Sequence, residues 1–101
     1  MALIDEVRFA LRINNTTNTA LNDELNRYIS AAILDLTETT DIRPFTAATA
    51  DGLQKDAVIV YAEFMFEKDV ARKQNYKAIY DDLKMKMSMS SKYSTLGAVE
   101  S

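Results

Sequence analysis

The 101 residues carry 12 Lys and Arg against 15 Asp and Glu, a formal charge of −3, and 48% are hydrophobic. That length suits one domain, which buries roughly two-thirds of its extended surface on folding. With no cysteine and no histidine, disulfides, thiolate metal sites and thiol nucleophiles are excluded, and so are the commonest general base and neutral metal ligand.

The charge is unevenly spread. Residues 1–71 hold twelve acidic and six basic side chains, and residues 72–101 hold three and six, so a body of −6 precedes an end of +3. Ends of unlike sign suit head-to-tail packing of identical subunits, which closes into rings or runs on as filaments. An unevenly charged solvated surface reads the same way. The opening segment lacks the basic flank and apolar run of a signal peptide. No window approaches the ~20 apolar residues of a membrane span, so the expectation is a protein of a reducing cytoplasm.

In chain order, residues 3–13 place Leu3, Val7 and Leu11 four apart, with Asp5 and Glu6 in the first turn and Arg12 near the last, as the helix dipole favours. The run from Asn14 to Thr19 then breaks the helix, because short polar side chains compete for backbone hydrogen bonds. A second helix is predicted from Thr19 or Asn22, either able to cap it, to about 37–40, with Leu21, Leu25, Tyr28, Ile29, Ala32, Ile33 and Leu36 as one buried face. From 41 to 51 the spacing predicts a surface loop anchored by Ile42 and Phe45, with Arg43 held extended by Pro44. A third helix, about 51–69, is apolar nearly all round from Ala57 to Ala62, which predicts a central element wrapped by its neighbours.

The fourth helix, about 73–87, carries the stripe Tyr76, Ile79, Tyr80, Leu83 and Met87. Beyond Leu83 the polar–methionine alternation from Lys84 to Ser90 has the period of a strand. No helical stripe follows, and Tyr93, Leu96 and Val99 are the tail's hydrophobic residues. The expected fold is therefore all-α: a compact bundle of about four helices over residues 1–87, with an extended, flexible C-terminal tail over 88–101, either a disordered end or a segment that orders on a partner.

No chemistry is legible. The pairs Asp5-Glu6, Asp23-Glu24 and Asp81-Asp82 point about 100° apart on a helix and do not converge. Serine has no histidine partner, and Gly52 and Gly97 lie too far apart for a phosphate loop. Basic residues from Arg72 to Lys92 interleave with Tyr76, Tyr80 and Tyr93, a pattern able to hold phosphates, but Tyr76 and Tyr80 belong to the expected core stripe. No enzyme and no cofactor or metal site is expected.

Four segments in this order carry a resemblance: LIDEVRFALRI at 3–13, LNRYISAA at 25–32, AVIVYAEF at 57–64 and YKAIYDDLK at 76–84. Over residues 3–87 the chain resembles the head–tail connector (adaptor) proteins of tailed bacteriophages. The resemblance implies a structural virion protein, assembled in the bacterial host cytoplasm and located in the virion neck. There it forms a homo-oligomeric ring, typically a dodecamer, between the portal and a stopper or tail-completion protein, with no membrane contact. DNA would pass through the lumen without specific binding. The tail implied to reach the portal contains Met85, Met87, Met89, Lys92, Tyr93 and Leu96, and the expected subunit interface contains Arg72, Lys73 and Lys77. The alternative reading is a small phage-encoded helical DNA-binding regulator.

Overall fold

The computed structural model describes residues 2–38, 42–90 and 92–94. Four helices run through them: α1 Leu3–Ala10, α2 Thr19–Glu38, α3 Leu53–Phe66 and α4 Val70–Ser88. The all-α bundle expected from the periodicity is the observed architecture. Its one strand-like feature among the described residues is an isolated antiparallel bridge between Ile42 and Ser94.

α1 stops earlier than its apolar stripe. Leu11 caps it and Arg12 turns to φ 60, so Arg12 N–H donates to the Phe9 carbonyl (3.1 Å) and Ile13 N–H to the Arg8 carbonyl (2.8 Å). This pair of bonds closes a helix around a left-handed residue, a place usually given to glycine. Arg12→Gly is therefore expected to raise stability by about 0.5–1 kcal/mol, read as a higher urea midpoint with an unchanged slope.

The polar loop then organises itself through its asparagines. Asn15 Oδ1 accepts from the backbone of Thr17 (2.9 Å) and Asn18 (3.0 Å), and Asn18 Oδ1 accepts from Leu21 N–H (3.0 Å). Asn18, rather than Thr19 or Asn22, thus caps α2. Asn22 instead ties the loop down: it donates to the Thr16 carbonyl (3.0 Å) and accepts from Arg8 Nη2 (2.7 Å). Arg8 is buried and also donates to Asp5 (2.6 Å), so one guanidinium fastens α1 to α2.

α3 packs against all three other helices, the central position its apolar circumference predicts. Leu3 and Val7 of α1, Leu25, Ile29, Ala32 and Leu36 of α2, and Ala57, Val58 and Ala62 of α3 make the core with Tyr80 and Met87 of α4. Alanine at 32, 57 and 62 lets the backbones approach, while each buried leucine contributes roughly 1.5–3 kcal/mol. Ile42 and Phe45 are buried and anchor the 42–51 connection as expected.

The fourth helix differs from its predicted stripe. Asp69 accepts from Arg72 N–H (3.3 Å) and starts α4 at Val70, before position 73. It continues through Ser88, so the alternating methionines are helical. Tyr80, Leu83 and Met87 face inward, but Ile79 is 49% exposed. The inward face of α4 is narrow, and Ile79 lies about 100° from Tyr80 around the axis.

Candidate functional site

The sequence places its unexplained side chains at the end of α4 and in the chain that follows. Helical geometry sorts them. Met85 and Met89, four apart, share an outward face and are 60% and 78% exposed, whereas Met87 between them is fully buried. Met87 is thus a core residue and not part of a free tail. Leu96 lies outside the described residues.

The segment 92–94, expected within the flexible tail, folds back onto the body. Tyr93 is 8% exposed and Ser94 1%. Arg43 N–H donates to the Tyr93 carbonyl (2.7 Å), Arg43 Nε donates to the Ser94 carbonyl (3.1 Å), and the Tyr93 hydroxyl accepts from Leu53 N–H (3.3 Å). That last bond supplies a partner for the first turn of α3, whose Gly52 cap has no side chain to offer. Lys92 stays outside, 3.2 Å from Asp51 and 5.2 Å from the Tyr93 ring centre. The hydrogen bond to Asp51 is the first cause of its raised pKa. Of the six tail residues, Met85, Met89 and Lys92 are therefore exposed, while Met87 and Tyr93 are committed to the core.

The three residues expected at a subunit interface all have partners within the chain. Arg72 lies 3.8 Å from Glu67 and 3.9 Å from Asp69, Lys77 pairs with Asp81 at 3.0 Å, and Lys73 donates to the Phe64 carbonyl (3.0 Å) beneath its ring. One turn further on, Asp35 of α2 accepts from both the Tyr80 hydroxyl (2.6 Å) and Lys84 (2.9 Å). Burial first, and this carboxylate second, push the Tyr80 phenol up beyond its ordinary range. Tyr28 is pushed up to about 12 by burial and by the bond it donates to Glu24.

Among the described residues no group of three acidic side chains comes together to hold a metal ion, and no helix is long and apolar enough to cross a membrane. Comparison with protein-family models, with curated proteins and with solved structures found no match. Several large apolar side chains remain on the surface: Phe9 (82% exposed), Leu34, Met65, Val70 and Ile79 join Met85 and Met89. Sequence reasoning missed Phe9, which lies beside the apolar stripe of α1 rather than on it. Its signal was an aromatic flanked by Arg8 and Arg12 on a helix whose stripe was already complete without it.

Proposed function

We propose that this chain is a structural protein of a tailed-phage virion. Its ring joins the portal of the DNA-filled head to the stopper or tail-completion protein, and its work is binding rather than catalysis. The observation that carries the reading is the order of the four helices. A short opening helix, a polar loop, a long second helix, an aromatic central helix and a basic fourth helix follow one another as the connector resemblance implies. The uncovered Met85 and Met89 support it further. Methionine adapts to irregular partner surfaces, and these two, with Lys92, stand exposed at the end of α4 and just after it.

In this reading the portal contact is made by Met85, Met89 and Lys92 together with Leu96 and the residues around it. Weak contacts repeated around a ring become strong through multivalency. An acidic body suits a channel along which DNA slides without sticking.

Electron microscopy of lysates in which the gene is disrupted tests this function. Unjoined heads and tails, with DNA lost from the heads, are expected. Normally joined virions would overturn the reading and leave the DNA-binding regulator, whose mark is salt-dependent retention on DNA.

A further inference from the structure

The exposed Phe9 and an apolar groove on α2 are flanked by charges of opposite order. Phe9 stands 82% exposed on α1, between Asp5 four residues before it and Arg12 three after it. Arg12 holds a left-handed φ of 60 at that helix end. No ion pair holds Arg12 among the described residues, although Glu63 and Glu67 line the same concavity. Elsewhere on the molecule, the second half of α2 and the turn after Phe45 enclose an open apolar groove of about 370 Å³. Ile29, Ile33, Leu34, Phe45 and Ala47 line it, and Leu34 is 54% exposed. The same outer stripe of α2 bears Arg27 before the groove and Glu38 after it, both exposed. Neither has an ion-pair partner among the described residues, and α2 has no basic residue in its last turn to satisfy the negative end of its dipole.

We infer that Phe9 of one copy seats in the α2 groove of the next, with Asp5 set against Arg27 and Arg12 against Glu38. Laid parallel, the two stripes read acidic–apolar–basic on α1 and basic–apolar–acidic on α2. An exposed Phe beside an unpaired Arg is also the composition of an interface anchor. The occupant is a second copy because a single chain presents both halves and cannot close them on itself. Arg8 reaches Asn22 at 2.7 Å, which puts Phe9 beside the start of α2. Leu34 lies twelve residues further along, about 18 Å at the helical rise. A contact between two different patches is heterologous, so it propagates head-to-tail and closes when the rotation allows. The inference rests on the proposed ring and names the contact that would build it.

The chain has no cysteine, so disulfide trapping in the full-length protein tests the contact. Asp5→Cys with Arg27→Cys in one chain, which leaves Phe9 and Leu34 in place, should give a ladder of disulfide-linked oligomers on mild oxidation. An equal mixture of the two single variants should give dimers and nothing larger. Arg12→Glu should slow trapping at least tenfold, and adding Glu38→Arg in the same chain should restore it. Both cysteine sites are solvent-exposed, and circular dichroism confirms that the variants keep the bundle. A double variant that stays monomeric, or an Arg27→Cys chain that dimerises alone just as fast, overturns the inference. If disrupted-gene lysates still contain unjoined heads and tails while the double variant stays monomeric, the ring stands and only this contact falls. A ladder alongside normal virions keeps the contact and overturns the phage role.

Discussion

Gly52→Ala should destabilise the protein by about 2–4 kcal/mol, combining a strained backbone with an overpacked contact. Gly52 sits at φ 48 at the entry to α3, and a Cβ there would stand 2.3 Å from the Tyr93 hydroxyl oxygen. Neither atom yields easily. The Tyr93 ring is buried, its carbonyl is held by Arg43, and its hydroxyl accepts from Leu53 N–H. Tyr93→Phe alone removes one hydrogen bond and should cost about 1 kcal/mol. In the double variant the clash with the hydroxyl disappears and only the backbone strain remains, so the two effects should sum to more than the double variant shows. Urea unfolding of the four proteins measures the coupling. A Gly52→Ala midpoint equal to that of the parent would mean that Tyr93 does not dock against α3.

The second large effect is expected at Asp35. Its carboxylate accepts from the Tyr80 hydroxyl at 2.6 Å and from Lys84 at 2.9 Å, and so joins α2 to two successive turns of α4. Asp35→Ala leaves a hydroxyl buried at 6% exposure without its acceptor. It also leaves Lys84, whose side chain is 21% exposed, without its counter-charge. The orphaned hydroxyl dominates, because the lysine still reaches water. The expected loss is about 2–3 kcal/mol, below that of a fully buried pair. Tyr80→Phe in the Asp35→Ala background should recover part of it, since no unpaired donor then stays buried. Recovery absent in thermal or urea unfolding would place the loss on Lys84 instead.

These two sites also mark where the sequence stopped being informative. The inward faces of α2 and α3 follow from local spacing, and the anchors Ile42 and Phe45 follow from two large apolar residues in an otherwise polar stretch. Ile79 was misplaced because one apolar residue beside a stripe looks the same whether the facing surface is wide or narrow. The Met85–Met89 alternation fits two periods. Tertiary burial of Met87 and the cross-helix bond of Lys84 select the helical one, information that no local window holds. Tyr93 was legible as an anchor but not in its destination. Its partners, Arg43 and Leu53, lie 50 and 40 positions earlier in the chain. The pairs that fix Lys73, Lys77 and Arg72 depend on rotamers and helix starts, so sequence spacing alone leaves them free.

The bridge between Ile42 and Ser94 has a mechanical consequence. A load applied to the residues beyond 94 first meets the Arg43 bonds to the carbonyls of Tyr93 and Ser94. The force therefore passes sideways into the connection between α2 and α3, and α4 is not peeled from its last turn. Bonds pulled along the direction of shear share the tension, whereas a helix end pulled along its axis gives way one bond at a time. A pull on those last residues is thus met first near the middle of the sequence, at Ile42 and Arg43.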